Sequence, residues 1–420
     1  MTLRRYAWLV VGLLWVVACL NYLDRQVIFS VFPLIRSEMK VDDAQLGLIS
    51  TVFLWVYGLA SPFGGYLADR IGRKKVLVLS LLVWTIVTLF TGYVADFRQL
   101  LLARALMGLS EACYLPAALA LIAELHGQGS RSLATGIHQS GLYAGMALGG
   151  VMGGWMGERH GWRAPFIVLG IVGLAYAMAL VKGIRPGTGD EHKTVPGEAR
   201  LGASLAEVLR LPGYFGMLTA FAAFAIVNWI VYTWLPLYIF ERYRMSLTSA
   251  GFSATFYLQA ASFAGIVAGG WVADRWSRSS RKGRVLTQVI GVGIAAPFLF
   301  LVGVTGSVPV LVAALLAFGW GKGFYDCNTM PVLAQVARPE VLATGYGIFN
   351  LVGCVAGGAM AAAAGLLKPT IGLSGAIQIS SFLLLASAIS LQYVGRALDK
   401  ESSPPGTKCS RPEFSGGPLR

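Results

Sequence analysis

Four ionisable side chains lie inside long apolar runs of the sequence. Asp24 and Arg25 are in the first such run, and Arg104 and Glu111 are in a later run over residues 98–124. Each charge near the centre of a membrane-spanning helix costs about 2.5–3.5 kcal/mol on insertion. Arg104 and Glu111 are seven residues apart, so they lie on one face of a helix. Two acids and two bases placed in this way can neutralise each other in one buried cluster.

The residue types of this cluster suit the linked binding of a proton and an anion. Arginine presents a planar fork that fits a carboxylate or a phosphate. A buried acid gains or loses its proton according to its surroundings, and its protonation releases a neighbouring arginine. Proton binding and anion binding would then be coupled. The alternative is a pair of salt bridges that only hold two helices together.

A second charged pair and several single polar residues lie in other apolar runs. Lys322 and Asp326 are four residues apart, so they share a helix face and can pair with each other. Either they neutralise each other, or Lys322 provides a second anchor for a dianionic substrate. Five further candidates for substrate contact could equally form hydrogen bonds between helices. They are His138, Gln139, Asn228, Tyr232 and Gln259.

The elements that must position these side chains are membrane-spanning helices. Of the 420 residues, 56% are hydrophobic and only 13% are charged, which is about half the charged share of a soluble domain. This composition excludes a soluble enzyme, a disordered chain and a disulfide scaffold. The apolar runs are continuous rather than alternating, which disfavours a membrane β-barrel. The formal net charge of +14 is interpreted as basic cytoplasmic loops rather than as a nucleic-acid interface.

Twelve apolar runs are long enough for a membrane span of about 20 residues. A polar stretch rich in Gly and Pro separates the first six from the last six, and it contains a predicted amphipathic helix at 203–210. We therefore predict an N-terminal six-helix bundle over 1–183, a cytoplasmic linker over 184–212, a C-terminal six-helix bundle over 213–395 and a disordered tail over 396–420. The spans are predicted at 7–33, 44–67, 75–95, 98–124, 131–157, 163–183, 213–240, 247–273, 285–304, 307–332, 341–367 and 372–395.

The distribution of basic residues predicts that both termini are cytoplasmic. With this orientation the inner loops and termini carry 23 Lys and Arg residues, whereas the outer loops carry 8. Such a bias is the usual mark of the cytoplasmic side. The short loops favour a bacterial inner membrane.

Two sequence motifs occur once in each half. Residues 64–70 (GGYLADR) recur as 269–275 (GGWVADR), and residues 133–137 (LATGI) recur as 342–346 (LATGY). The members of each pair occupy equivalent spans, and six spans separate them, so the halves share one topology. Such a parallel repeat predicts two pseudo-symmetric bundles with a substrate site between them near the midplane.

The loop motif GGYLADRIGRKK resembles the signature loop of the major facilitator superfamily, and GGWVADRWSRSSRKGR is similar to its second copy. Within that superfamily, the segments NYLDRQ, RALMGLSEACYLPA, VYTWLPLYIFERYRMS and GYGIFNLVGCVAGG resemble the anion:cation symporter branch. The spinster-type lipid transporters share similar first-span and fourth-span elements. The resemblance covers residues 7–395 and implies twelve helices around a central cavity that opens to one side at a time.

The resemblance also implies roles for individual residues. Asp24 and Glu111 match acids that act as proton sites in the resembling symporters, Arg25 matches an arginine that holds substrate, and Arg104 matches a residue that partners an acid. Positions that face the anion are matched by Tyr22, Tyr57 and Asn350. The signature loops imply a cytoplasmic latch with a gating role for Asp69, Arg70, Arg73, Asp274 and Arg275.

The leading functional prediction is proton-coupled symport of a small organic anion, a carboxylate or sugar acid, by a monomer that contacts membrane lipids. The alternative is a spinster-like exporter of lysolipids or other amphipathic compounds, which the second-half aromatics Phe221, Phe224, Trp229, Tyr232 and Trp234 favour. A membrane enzyme is disfavoured because no nucleophile motif is present. The sequence has no Walker loop and no Cys/His set with metal spacing, so we expect no cofactor and no metal.

Overall fold

The computed structural model describes residues 3–185 and 201–402, and no strand occurs among them. The helices of the first half are α1 (Leu3–Ser30), α2 (Phe32–Met39), α3 (Asp43–Ile71), α4 (Arg73–Thr91), α5 (Phe97–Glu111), α6 (Tyr114–Leu125), α7 (Gln128–His160) and α8 (Ala164–Gly183). Those that follow are α9 (Leu201–Leu209), α10 (Tyr214–Tyr243), α11 (Leu247–Ser277), α12 (Gly283–Val304), α13 (Val308–Asp326), α14 (Thr329–Leu333) and α15 (Pro339–Ser402).

The helices of the described chain account for the twelve predicted spans. Ten helical segments are long and apolar enough to cross a membrane. One of them belongs to α15, which is broken at Gly372 (φ 68°, ψ 169°) and so provides two spans. The 33-residue α7 is more polar but long enough to provide the remaining span. The fold is therefore an all-helical membrane bundle, as the sequence predicted.

Apart from the span at 7–33, which is interrupted at Val31 between α1 and α2, two predicted spans are not continuous helices. The span at 98–124 breaks between α5 and α6, and the span at 307–332 breaks between α13 and α14. A proline lies just beyond each break, Pro116 and Pro331. Proline lacks an N–H group and its ring clashes with the carbonyl four residues earlier, which places the disruptions at residues 112 and 327. Each break therefore directly follows an acid, Glu111 or Asp326.

The two halves of the chain meet along two seams, α3 against α15 and α7 against α11. Glycines allow the backbones to approach closely there. A Cβ on Gly150 would lie 2.2 Å from Oγ1 of Thr255 and 2.7 Å from the carbonyl oxygen of Gly251. A Cβ on Gly47 would lie 2.8 Å from Cα of Ala362. Small residues at such contacts let helices pack tightly in a membrane.

Four charged residues join the halves at one end of the bundle, and we name them the charge network. The Arg36 guanidinium bonds Asp43 at 3.1 Å and Glu241 at 2.9 Å. The Lys368 ammonium bonds the same two carboxylates, Asp43 at 3.0 Å and Glu241 at 2.9 Å. Arg36 and Asp43 belong to the first half, and Glu241 and Lys368 to the second. This end is the outer one in the predicted orientation.

The linker helix and the C-terminal tail have different bounds from those predicted. The linker helix, predicted at 203–210, is Leu201–Leu209, and residues 186–200 lie outside the described chain. The last helix continues to Ser402, so the predicted disordered tail cannot begin at 396; residues 403–420 lie outside the described chain.

Candidate functional site

A buried ion pair in an aromatic box is at the centre of the first half. Nε of Arg25, on α1, lies 2.5 Å from Oε2 of Glu111, the last residue of α5. The two side chains are 6% and 0% exposed. The guanidinium carbon lies 4.7 Å from the ring centre of Tyr22, 4.9 Å from that of Phe53 and 4.5 Å from that of Tyr57. Cation–π attraction to three rings helps to hold a cation in this water-poor place.

The other two charges lie beside this pair but are bonded differently. Oγ1 of Thr88 donates to Oδ2 of Asp24 at 3.1 Å. Nη1 of Arg104 donates to Sδ of Met107 at 3.0 Å, and its guanidinium carbon lies 4.6 Å from the ring centre of Phe53. Within the described chain, Oδ1 of Asp24 and Nε and Nη2 of Arg104 are buried without a hydrogen-bond partner. Such groups retain unused capacity to bind a proton or an anion.

One predicted contact is not found, because Arg104 forms no ion pair with an acid among the described residues. Glu111 is seven residues further along the same span, which is about 10 Å of helix. Arg25 from another helix reaches that carboxylate instead. The role of partner to an acid therefore falls to Arg25 in this structure.

All four predicted charges nevertheless lie within one electrostatic neighbourhood, which we name the four-charge cluster. Arg104 interacts electrostatically with Glu111, Arg25 and Asp24, and Asp24 interacts with Glu111. None of the four side chains faces lipid, because all are buried. With both acids ionised the cluster is neutral, and with both protonated it carries two positive charges.

The aromatic and amide residues expected near the anion surround the same region. Tyr22 and Tyr57 form two walls of the box around Arg25. Across the α3–α15 seam, Nδ2 of Asn350 donates to Oγ of Ser61 at 3.4 Å. Ser61 is one turn beyond Tyr57 and donates to its carbonyl oxygen at 2.8 Å. The second half therefore reaches the edge of the box through Asn350.

His138 occupies a packing position. Its Nε2 lies 2.8 Å from the hydroxyl of Tyr114, which itself donates to the carbonyl oxygen of Leu14 at 2.8 Å. Since that hydroxyl proton is already used, Nε2 of His138 must donate to the tyrosine oxygen. The fully buried ring thereby links α7 to α6 and α1.

The remaining amide candidates keep free acceptor oxygens. Nε2 of Gln259 donates to Sδ of Met146 at 3.2 Å across the α7–α11 seam. Within the described residues, the buried side-chain carbonyl oxygens of Gln139, Asn228 and Gln259 have no hydrogen-bond partner. These oxygens can accept hydrogen bonds from hydroxyl groups.

The Lys322–Asp326 pair lies in the second half and touches the first. The ammonium and the carboxylate are hydrogen bonded, with the side chains 3% and 25% exposed. The hydroxyl of Tyr143, on α7, donates to Oδ2 of Asp326 at 3.4 Å, and Nζ of Lys322 lies 5.4 Å from its ring centre. Tyr22 interacts electrostatically with Lys322 as well as with Arg25. The two ion pairs therefore border one region between the halves.

Sequence reasoning missed Phe53 and Tyr143. Phe53 precedes Tyr57 by four residues and Tyr143 follows Gln139 by four. Helical spacing puts each of them on the same face as a residue that was singled out. That spacing is the signal from which both could have been found.

Two of the loop residues expected to gate, Arg73 and Asp274, form bonds within their own halves. Nη1 of Arg73 donates to the carbonyl oxygen of Ala120 at 3.1 Å and bonds the Glu124 carboxylate. Nη2 of Arg284 donates to Oδ1 of Asp274 at 3.0 Å. Arg70 and Arg275 are exposed, and the side chain of Asp69 lies outside the described part of the structure. The gating role of these residues stays a prediction.

Comparison with known proteins agrees with this architecture. The "Probable galactarate/D-glucarate transporter GarP" of Escherichia coli K12 is 27% identical over 381 residues, covering 83% of this chain and 85% of that protein. The D-galactonate transporter of E. coli O6:H1 is 28% identical over 413 residues, covering 92% and 94%. A crystal structure of a bacterial homologue of the human lysosomal transporter Spinster, inward-facing and unoccupied, superposes with a TM-score of 0.82 at 21% identity, covering 96% and 99%.

A family model adds the decisive match. The model described as Major Facilitator Superfamily matches residues 14–362, most of the chain. The relatives named above are transporters and not enzymes. The resemblance inferred from the signature loops is confirmed, and the chain is a multi-pass membrane protein that belongs to the Major Facilitator Superfamily.

Proposed function

We propose that this protein is a proton-coupled symporter of a small organic anion of the sugar-acid class. The observation that carries the proposal is the Arg25–Glu111 pair, which is buried at 2.5 Å inside a box of aromatic rings. A buried pair contributes little net stability compared with apolar residues of similar size. An ion pair in this place is therefore better explained by function than by folding.

Protonation of Glu111 is the coupling step. The carboxylate takes up one proton and becomes a neutral acid, so it no longer balances the guanidinium of Arg25. That guanidinium then forms two parallel hydrogen bonds to the carboxylate of the substrate. Proton and anion thus bind together, and the charge of the box is neutral both before and after loading.

The same reasoning applies to Asp24 and Arg104, the other acid and base of the four-charge cluster. Asp24 has a free carboxylate oxygen and Arg104 has two free nitrogens within the described chain. Protonation of Asp24 leaves the neighbouring Arg104 as a second uncompensated cation, which strengthens the attraction for an anion. Asp24 is therefore assigned as the second proton site.

The remainder of a sugar acid meets hydroxyl and amide groups. Tyr22, Tyr57 and Asn350 lie around or beside Arg25. These groups both donate and accept hydrogen bonds, as the hydroxyls of a sugar acid do. Two relatives carry names of sugar-acid transporters, which supports this substrate class.

Alternating access follows from the two seams. The charge network closes the outer end of the bundle in the predicted orientation, with both termini in the cytoplasm. We assign this arrangement to the state that is closed to the outside. Rocking of one half against the other about the cluster would break the network and open the outer end.

Uptake into proteoliposomes tests the proposal. With an alkaline lumen and an acidic bath, the wild-type protein should accumulate labelled galactonate or a related anion. The Glu111→Gln variant should lose this accumulation but still exchange labelled for unlabelled substrate, since an amide cannot take up a proton. Glu207→Gln removes a partly exposed acid on the linker helix α9 and serves as the control. Full pH-driven accumulation by Glu111→Gln would refute the coupling role.

A lysolipid exporter is the second candidate, and one observation favours it. An apolar groove of about 550 Å³ lies between α3 and α5, lined by Leu59, Phe63, Leu67, Leu109 and others. A lipid chain could enter there beside the α5–α6 break. Thermal unfolding in detergent separates the candidates, because the ligand that binds raises the unfolding temperature. Stabilisation by lysolipids alone, and not by sugar acids, would favour the exporter.

A further inference from the structure

We propose that Asp326 determines substrate specificity. Its carboxylate accepts hydroxyl groups of the substrate, so the site prefers a polyhydroxylated anion with one carboxylate over a dicarboxylate. This inference rests on the proposed function and specifies its substrate class.

The two ion pairs occupy corresponding places in the two halves. Glu111 ends α5 and lies five residues before Pro116, whereas Asp326 ends α13 and lies five residues before Pro331. α5 is in the fourth span and α13 in the tenth, which are equivalent in the repeat. Each proline interrupts the helix just after its acid. The repeat therefore positions Asp326 as the counterpart of Glu111.

The two pairs present opposite charges to the region between the halves. In the first half the carboxylate of Glu111 is fully buried and Arg25 is the more exposed partner, at 6%. In the second half Lys322 is 3% exposed and the carboxylate of Asp326 is 25% exposed. A molecule between the halves therefore meets a cation at one pair and a carboxylate at the other.

The surroundings of Asp326 suit hydroxyl donors rather than a second anion. Lys322 stays bonded to the carboxylate, so the pair is neutral overall. A carboxylate accepts hydrogen bonds and donates none when ionised. The hydroxyl of Tyr143 donates to Oδ2 at a long 3.4 Å, so a substrate hydroxyl at the usual shorter distance for such a bond can replace it.

The two pairs border the same region between the halves. Tyr22 interacts electrostatically with both Arg25 and Lys322. Tyr346, on α15, interacts with both Tyr22 and Asp326. A substrate that places its carboxylate at Arg25 would extend its hydroxyl-bearing chain toward Asp326. A second carboxylate at the far end of that chain would be repelled there.

The first test needs no variant. Binding to the wild-type protein is measured for three ligands of six carbons: galactonate, galactarate and hexanoate. We expect galactonate to bind about tenfold more tightly than either of the others. Hexanoate lacks the hydroxyl groups, and hydrogen bonds to a charged group change affinity by about tenfold or more. The second carboxylate of galactarate would be repelled by Asp326. Equal or tighter binding of galactarate would overturn the proposal. Equal binding of hexanoate would overturn it too, because the site would then not recognise the hydroxyl groups of the substrate.

The second test measures the ratio of galactonate to galactarate affinity in two variants. Asp326→Asn removes the repelling charge and leaves Lys322 without its acid, so the ratio should fall about tenfold or more. Glu207→Gln, in an exposed pair with Arg338, should leave the ratio unchanged. A general folding defect would lower both affinities together and spare the ratio, which would count against the proposal.

The outcomes separate this inference from the proposed function. One outcome is that sugar acids bind and are taken up under a proton gradient while the ratio of galactonate to galactarate affinity does not favour galactonate. In that case only the role of Asp326 fails. If no organic anion in the panel binds or is accumulated, the proposed function fails and this inference fails with it.

Discussion

The charge network provides a direct test of the proposed alternating access. Arg36 and Lys368 each bond a carboxylate of the opposite half, Glu241 at 2.9 Å and Asp43 at 3.0 Å. Both contacts must break when this end opens. We predict that the double variant Arg36→Met, Lys368→Met shifts the population toward the state that is open at this end.

The size of the shift follows from the exposure of the four side chains, which lies between 14% and 34%. Partly exposed ion pairs are worth about 0.3–1 kcal/mol each. Two bridges between the halves therefore stabilise the closed end by about 0.6–2 kcal/mol. That free energy corresponds to roughly a threefold to thirtyfold change in the ratio of open to closed molecules. Because the pairs are partly solvated, about 1 M salt should weaken them in the wild-type protein as well.

The assay is a distance measurement between two spin labels at this end of the bundle. Ser37 in the first half and Thr370 in the second are both exposed and suit labelling. The long-distance population should grow in the double variant and less so in each single variant, while Glu207→Gln should leave it unchanged. An unchanged distance distribution in the double variant would refute the reasoning, because the end would then be held closed by packing alone.

Three further variants test the site and the seams. Arg25→Lys keeps the charge but loses the planar fork, so substrate affinity measured by concentration-dependent uptake should fall about tenfold; unchanged affinity would remove Arg25 from the anion site. Tyr57→Phe keeps the ring that faces Arg25 but lacks the hydroxyl, so affinity should fall about twofold to tenfold while the response to the pH gradient is retained; loss of that response instead would make Tyr57 part of the coupling machinery. Gly150→Ala adds a Cβ that would lie 2.2 Å from Oγ1 of Thr255, so the thermal unfolding temperature should fall; Gly293→Ala, whose Cβ meets no atom within 4 Å, is the matched control, and equal effects of the two would contradict the tight seam.

The buried charges were the most predictable part of the site. An ionised group in an apolar run must find a partner or a polar cavity, because the membrane offers no water. That constraint alone brought Asp24, Arg25, Arg104 and Glu111 into one cluster, and the structure places them together. The repeated motifs likewise predicted the two halves and the spans that correspond.

The choice of partner within the cluster was not predictable from the sequence. Arg104 and Glu111 share a helix face, but two turns of helix separate them, and Arg25 from α1 reaches Glu111 instead. Which side chain arrives depends on how α1 and α5 are rotated and offset, and spacing along one helix does not contain that information. The charge network was missed for a similar reason, because its members lie in three connecting regions that are far apart in the chain.

The sequence contains a proline near each helix break, but a hydropathy profile does not detect the breaks. Pro116 and Pro331 lie inside apolar runs that satisfy the length of one span. Hydropathy measures transfer into lipid and not backbone hydrogen bonding. A hydropathy profile therefore does not show the backbone hydrogen bond that a proline removes. The steric rule for proline marks both positions but does not by itself predict a break, since Pro62, Pro236 and Pro297 lie inside continuous helices.

The two ion pairs show how one repeated plan can yield two different functions. Arg25 and Glu111 come from separate helices and are 86 residues apart in the chain, so movement of α1 against α5 can separate them and leave the arginine free for an anion. Lys322 and Asp326 are one turn apart on α13, so the helix holds them together whichever way the halves move. A pair that can separate suits coupling, because its opening exposes a charge. A pair that cannot separate presents the same carboxylate in every state, which suits the recognition of hydroxyl groups. This difference therefore supports the proposed role of Glu111 in coupling and the proposed role of Asp326 in substrate selectivity.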